Sequence, residues 1–214
     1  MKTNYGSRRM IFKKICYMLW IFILSSSLHA GSHENLVAKD FDKAIKHVEK
    51  KSYFEAFKIF SELAETGVPE AQYNLALLYS NGLGVPKNYK LTLYWSWQSH
   101  LNGHVAALER VNATYDLINE DLREKVAQLV IDELLESAQA GDKKSPLKLG
   151  KTYLGLFVEA QNQPAYLWLS ISQAYGDDAA SKLLDTAATQ LTLEEILVQQ
   201  EAAQKTFEEI IRNN

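Results

Sequence analysis

Small, apolar and aromatic side chains recur every four residues in several stretches of the chain, and each stretch follows a glycine. Gly67 is followed after four, eight and twelve residues by Ala71, Leu75 and Tyr79. Side chains at this spacing lie along one face of an α-helix. The pattern therefore predicts a helix that begins soon after Gly67 and packs this face against a neighbour.

The same offsets occur after three later glycines, which indicates an internal repeat. The residues in register are Ala107, Val111 and Tyr115 after Gly103, Ser145, Leu149 and Tyr153 after Gly141, and Ala180, Leu184 and Ala188 after Gly176. Successive glycines are 36, 38 and 35 residues apart. A period in this range is typical of stacked supersecondary units that bury one another's apolar faces.

Each unit is predicted to be a hairpin of two helices. The second helix ends at the next glycine, which suits the left-handed conformation found after a helix C-terminus. In the first unit, residues 80–88 are rich in turn formers and separate the two helices. Trp95 and Trp168 each lie eight residues before a repeat glycine, and we expect both to be buried between units. Trp97 lies on another helix face and is either exposed or a second core tryptophan.

The first unit resembles the Sel1-like repeat, a relative of the tetratricopeptide repeat. The residues that carry the resemblance are Ala64, Gly67, Ala71, Leu75, Ala76, Tyr79, Gly82, Gly84, Val85, Trp95 and Gly103. The third unit is similar through Ala138, Gly141, Leu149, Gly150, Tyr153, Gly155, Ala165 and Trp168. The resemblance implies an all-α fold, a right-handed α-α superhelix (solenoid) of stacked helix hairpins. It also implies adaptor or scaffold roles more often than chemistry.

The repeat divides the chain into six segments. They are a signal peptide (1–30), an N-terminal capping helix pair (31–66), a first repeat (67–102), a degenerate second repeat (103–140), a third repeat (141–175), and a degenerate fourth repeat with a C-terminal capping helix (176–214). Apolar residues at helical spacing mark the capping pair: Val37, Phe41, Ile45, Val48, Phe54, Phe57, Phe60 and Leu63. Thr192 and Glu195 predict a capping box at the start of the last helix. The apolar face of that helix is predicted to comprise Leu193, Ile196, Ala203, Phe207 and Ile210.

Residues 1–30 have the features of an export signal. A basic region of Arg8, Arg9, Lys13 and Lys14 precedes the apolar run from Ile15 to Leu24, and Ala30 offers a small residue for cleavage. This run is shorter than the ~20 residues of a membrane-spanning helix, so we expect a cleaved signal, with an uncleaved anchor as the alternative. Residues 7–13 also resemble the twin-arginine export motif. We therefore expect the protein in the periplasm of a Gram-negative bacterium or secreted from it, without stable membrane insertion after cleavage.

Charge and cysteine content narrow the classes of partner. Residues 1–30 hold 5 of the 23 basic residues and none of the 26 acidic ones, which leaves 18 against 26, a net charge of −8. A chain of this charge is a poor candidate for binding nucleic acid or an anionic membrane. The only cysteine, Cys16, lies inside the signal, so the mature chain has no disulfide.

The sequence contains no recognisable catalytic motif. His100 and His104 have a spacing that can bind a metal, but Gly103 between them is expected to end the helix. Cleavage after Ala30 would expose Gly31-Ser32-His33, an N-terminal sequence that can bind Cu(II) in a square plane. We expect no cofactor, no structural metal and no enzymatic activity. We interpret the protein as an adaptor that binds a protein or peptide. The alternative is a cell-envelope hydrolase or other cell-wall-active enzyme.

The resemblance also implies where a partner docks. In tetratricopeptide-like hairpins the concave wall is formed by the first helix of each unit, on the side away from the repeat stripe. This places the predicted partner-binding residues at Tyr73, Leu77, Ser80, Glu109, Leu147, Lys151 and Leu154. An apolar side of an amphipathic segment would contact Tyr73, Leu77 and Leu147, and an acidic group would contact Lys151. The alternative for Tyr73 and Leu77 is ordinary packing against the neighbouring hairpin.

Overall fold

The computed structural model describes residues 35–214, and every regular element in that range is helical. The helices are α1 (35–49), α2 (Tyr53–Glu65), α3 (Pro69–Asn81), α4 (Tyr89–Leu101), α5 (Ala107–Tyr115), α6 (Glu120–Gln139), α7 (Ser145–Gly155), α8 (Asn162–Ala174), α9 (Asp178–Ala188) and α10 (Leu193–Asn213). They pack as sequential hairpins, which confirms the predicted all-α repeat fold. The predicted signal peptide and the Gly31-Ser32-His33 sequence lie outside the described residues.

The four repeat glycines form the same turn wherever one hairpin passes to the next. Gly67, Gly103, Gly141 and Gly176 have φ values of 86°, 97°, 87° and 85°. In each turn the residue after the glycine donates its amide hydrogen to a carbonyl five residues earlier, as Val68 does to Leu63 and His104 does to Ser99. These are the bonds of a Schellman motif, which pairs the free carbonyls at a helix C-terminus. The period seen in the sequence is therefore a period of helix ends.

Three hydrophobic clusters of described residues run along the stack. The N-terminal cluster joins α1, α2 and α3 around Phe60 and Leu75. The central cluster joins α4 to α8 and α10 around Trp97 and Leu149. The C-terminal cluster joins α8 and α9 around Leu169. At least one stripe position of each unit is fully buried: Ala71, Val111, Leu149 and Ala180 are each inaccessible to solvent.

Of the two tryptophans in α4, Trp97 is buried more deeply than Trp95, and this burial is one of the two alternatives predicted for Trp97. Trp97 is only 2% exposed and lies in the central cluster, whereas Trp95 is half-buried and packs against the N-terminal cluster. The prediction for Trp95 was wrong because α4 turns the stripe of Leu93, Trp97 and Leu101 toward the core, and a residue two positions from Trp97 lies on the other side of the helix. Trp168 is buried as predicted.

Two other apolar residues were wrongly assigned to buried faces. Phe54 is 56% exposed, because the buried face of α2 passes through Ala56, Phe60 and Leu63, and Phe54 lies beside Lys58 outside that face. Leu193 is 73% exposed because it is the first residue of α10, one turn beyond the packed part of the helix. The capping box of Thr192 and Glu195 at the same helix start is present as predicted.

Arg123 in α6 joins the second hairpin to the end of α7. Its Nε donates to the Leu156 carbonyl at 2.8 Å, and its Nη2 donates to the Phe157 carbonyl at 2.5 Å. The guanidinium carbon lies 3.8 Å from the centre of the Tyr115 ring, whose hydroxyl donates to the Gly155 carbonyl at 3.0 Å. Carbonyls at a helix C-terminus have no partner within their own helix, and Arg123 supplies one.

We expect Arg123→Lys to lower the free energy of unfolding by about 1–3 kcal/mol, because lysine cannot reproduce the planar fork that serves two carbonyls and stacks on Tyr115. The measurement is chemical denaturation followed by circular dichroism. Lys125→Ala is the matched control, since Lys125 lies on the same helix and pairs with Asp121 at the surface. That change should stay within about 0.5 kcal/mol of wild type. Equal losses for the two variants would contradict the role given to Arg123.

Candidate functional site

The predicted partner-binding residues lie on the first helices of three successive hairpins. Tyr73, Leu77 and Ser80 are in α3, Glu109 is in α5, and Leu147, Lys151 and Leu154 are in α7. Glu109 is exposed and the other six are half-buried. None of the seven is fully buried, so each keeps some surface for a contact.

Tyr73 and Leu77 form a partly open apolar pair on α3. They are four residues apart and therefore neighbours on one helix face. Neither belongs to the three hydrophobic clusters of residues 35–214. The Tyr73 ring stacks on the His104 ring with centroids 4.4 Å apart and planes at 16°. The His104 imidazole thus supports the position of the Tyr73 ring. The buried Nδ1 of His104 has no hydrogen-bond partner within the described chain.

Leu147 and Leu154 also contribute to the packing of the fold. Both are half-buried and pack against the C-terminal cluster formed by α8 and α9. Their side chains hold α7 on the following hairpin, whereas Tyr73 and Leu77 on α3 lie outside every cluster of residues 35–214. The pair on α3 is therefore the more available part of the predicted apolar surface.

Lys151 lies close enough to His100 for the two charges to interact. Burial lowers the pKa of His100, and the positive charge of Lys151 lowers it further. The His100 ring lies 5.1 Å from the Trp97 ring, whereas His104 stacks on Tyr73. The two histidines thus have separate environments, and among residues 35–214 no three His, Cys, Asp or Glu side chains are grouped as metal ligands.

A polar cavity of about 350 Å³, which the sequence reasoning missed, lies where α4, α6 and α7 meet. The side chains on its wall that carry hydrogen-bonding or charged groups include Glu65, Gln72, Tyr94, Gln98, Asn102, Glu133, Ser137, Asp142, Ser145 and Lys148. None of the seven predicted partner-binding residues lines it. This cavity is a second candidate site, separate from the apolar pair on α3.

Glu133 is one of three acidic residues that line the cavity, with Glu65 and Asp142. Its Oε2 accepts hydrogen bonds from the Tyr94 hydroxyl at 2.8 Å and from Gln98 Nε2 at 3.2 Å. Burial raises the pKa of Glu133 above its usual range, the bond from Tyr94 lowers it, and the charge of Asp132 raises it again. Burial and the bond to Glu133 also raise the pKa of Tyr94. The carboxylate is thus held in place by neutral donors alone.

Lys148 is the basic residue among those that line the cavity. Its Nζ donates to Asn102 Oδ1 at 2.7 Å, and Asn102 Nδ2 donates to Gln72 Oε1 at 2.9 Å. Gln72 is itself buried and donates to the Ala64 carbonyl at 3.0 Å. Burial lowers the pKa of Lys148, while the charge of Asp142 acts in the opposite direction. A chain of three polar side chains therefore fixes the ammonium group.

A weak signal for this cavity does exist in the sequence. Gln98 and Asn102 are polar residues four apart on α4, and Gln72 interrupts the apolar side of α3 beside Ala71. Polar residues at such positions need hydrogen-bond partners when buried. Those partners, Glu133 and Lys148, lie 35 and 46 residues further along the chain, a pairing that the local pattern does not contain.

Comparison with known proteins agrees with the repeat. Residues 69–96 match the family model described as Sel1 repeat. The fold is similar to the crystal structure of c5321, a protective antigen of uropathogenic Escherichia coli strains with an SLR fold. The two chains are 18% identical with a TM-score of 0.35, and the match covers 81% of this chain and 46% of that one. It is also similar to a Sel1 repeat protein from Oxalobacter formigenes, at 23% identity and a TM-score of 0.38, over 81% of this chain and 75% of that one.

The chain spans about half the length of the Escherichia coli protein. A search of curated proteins found no match. Within residues 35–214, no helix combines the length and the apolar character needed to cross a membrane.

Proposed function

We propose that this chain, whose residues 69–96 match the Sel1 repeat, is a non-enzymatic adaptor that binds a partner protein or peptide on the α3 face. Stacked helical repeats generally mediate protein interactions through extended surfaces. The observation that carries the proposal is the pair of Tyr73 and Leu77, two partly exposed apolar side chains outside every hydrophobic cluster of the described residues.

The chemistry of this pair suits an amphipathic helical segment. A tyrosine and a leucine one turn apart present a ridge that apolar residues at positions i and i+4 of a partner helix can cover. Tyrosine is a frequent anchor at interfaces because it buries a large area with few rotatable bonds. The stack on His104 holds the Tyr73 ring in one orientation, so binding costs little further side-chain entropy.

Site-specific photo-crosslinking tests the docking surface. A photo-reactive amino acid at position 77 should give a discrete crosslinked product in the cells that produce the protein, and the same residue at position 129 should not. Leu129 is the matched control because it is an exposed leucine on α6, away from α3. Mass spectrometry of the product then identifies the partner.

The double variant Tyr73→Ala with Leu77→Ser should abolish binding of that partner, because it removes the apolar ridge. Its free energy of unfolding should stay within about 1.5 kcal/mol of wild type, since the side chains are partly exposed and only the ring stack is lost. The control is Phe54→Ala with Leu129→Ser, which removes an exposed aromatic and an exposed leucine elsewhere. Retained binding by the folded Tyr73/Leu77 variant would rule out this surface.

We also propose that the adaptor works in the bacterial envelope or outside the cell. The proposal rests on the basic and apolar segments within residues 1–30. N-terminal sequencing of protein isolated from a periplasmic extract should locate the cut after Ala30. An uncut N-terminus in a membrane fraction would instead support an anchored form.

A further inference from the structure

We propose that the polar cavity between α4, α6 and α7 binds a ligand that carries a guanidinium or ammonium group and a carboxylate, that is, a basic amino acid, either free or at the C-terminus of a peptide. The cationic group pairs with Glu133 and the carboxylate pairs with Lys148. This site is distinct from the α3 face and does not depend on the adaptor proposal.

The charged groups on the cavity wall are available to a ligand. Ion pairs with nitrogen and oxygen within 4.0 Å, among residues 35–214, join Lys58 to Glu55 and Lys125 to Asp121. Glu133 and Lys148 line the cavity together with Glu65 and Asp142, and none of the four takes part in either pair. Asp142 acts on Lys148 only at longer range. Glu133 is exposed and Lys148 is half-buried, so both can meet a ligand group of the opposite charge.

Neutral side chains hold the carboxylate of Glu133 and the ammonium of Lys148 in position. Tyr94 and Gln98 bind the same oxygen of Glu133, Oε2, so Oε1 has no donor from the described chain and is free for a ligand. The ammonium of Lys148 uses one of its hydrogens on Asn102 and retains two more. Groups fixed in this way lose little freedom when a ligand arrives.

An aromatic wall agrees with a cationic ligand. Trp95 is half-buried, lines the cavity and meets the edge of Tyr94 with ring centroids 4.9 Å apart at 81°. Tryptophan is the aromatic side chain that attracts cations most strongly, and guanidinium groups stack on it. The volume of about 350 Å³ is within the range of small-molecule sites, at its lower end.

Titration calorimetry on the purified protein tests the site. The probes are L-arginine, L-norleucine, which lacks the side-chain cation, and agmatine, which lacks the carboxylate. Arginine should bind saturably, and norleucine and agmatine should each bind about tenfold or more weakly, because one charged hydrogen-bonded contact is lost. Two further arms use a short peptide with a C-terminal arginine and the same peptide amidated, and they distinguish a free amino acid from a protein terminus as the source.

Charge-neutral variants assign the contacts. Glu133→Gln keeps an acceptor oxygen for Tyr94 and should weaken arginine binding about tenfold. Glu136→Gln changes a glutamate on the same helix that does not line the cavity, and it should leave binding unchanged. Lys148→Met should abolish the preference for arginine over agmatine. Circular dichroism melting confirms that each variant is folded.

The proposal is overturned if neither arginine nor the arginine-terminated peptide binds saturably to the wild-type protein, or if Glu133→Gln and Glu136→Gln bind arginine equally. The Tyr73/Leu77 double variant should bind arginine as wild type does. Failure of this site and failure of the α3 docking face can therefore be told apart.

Discussion

Replacing Trp97 with alanine should lower the free energy of unfolding by about 3–5 kcal/mol, as truncation of a large aromatic core residue does. The side chain is 2% exposed in the central cluster, and its ring lies directly against Gly155 of α7. Its Nε1 donates to Thr152 Oγ1 at 3.0 Å, so the variant also loses a buried hydrogen bond. Urea denaturation followed by circular dichroism measures the change.

Trp95→Ala is the matched control for this prediction. Trp95 lies on the same helix but is half-buried, so we expect a loss of roughly 1–2 kcal/mol. Trp97→Phe provides a milder probe, because it keeps most of the apolar area and removes the bond to Thr152. A larger loss for Trp95→Ala than for Trp97→Ala would contradict the orientation of α4.

Replacing Gly84 with alanine should cost about 3–5 kcal/mol, from left-handed backbone strain together with displacement of packed backbone. Gly84 has a φ of 72°, which only glycine adopts readily. An added β-carbon would overlap the carbonyl group of Tyr53 and lie 2.7 Å from the amide nitrogen of Phe54. These atoms belong to the start of α2 and cannot rotate away as a side chain would.

Gly82→Ala separates the two contributions. Gly82 has nearly the same φ, 71°, but its added β-carbon would lie 3.4 Å from the nearest backbone atom, the Lys87 nitrogen. This variant should therefore lose only the strain, about 1–2 kcal/mol. The measurement is the denaturation midpoint of both variants under the same conditions. Equal losses would show that the contact between the Gly84 loop and α2 contributes little.

The positions of the helix ends were accessible from the sequence because they depend on local chemistry. A stripe with a four-residue period predicts a helix from a few neighbouring side chains, and a glycine after it predicts a left-handed turn. The stripe after Gly67 and the capping box at Thr192 are both present. The repeat resemblance assigned Gly84 a place in the motif, but only the structure shows that its loop touches α2.

The depth at which a side chain is buried was not accessible in the same way. Trp95 and Trp97 are both aromatic residues on one helix, and the repeat spacing, which favoured Trp95 for the core, does not report how that helix is rotated against its neighbours. The choice is made by the rotation of α4 against α7, where Trp97 meets Thr152 across 55 residues of chain. The same holds for Leu147 and Leu154, whose contacts come from α8 and α9.

By itself, the sequence determined that this protein is a stack of helix hairpins, because each hairpin is specified by apolar spacing and turn residues close together in the chain. Only the tertiary structure decided which side chains meet in the polar cavity. Gln98 reaches Glu133 and Asn102 reaches Lys148 because α6 and α7 pack across α4. A site built from helices of three hairpins depends on their relative rotation, and that rotation is set by the packing of whole faces, which no local pattern encodes.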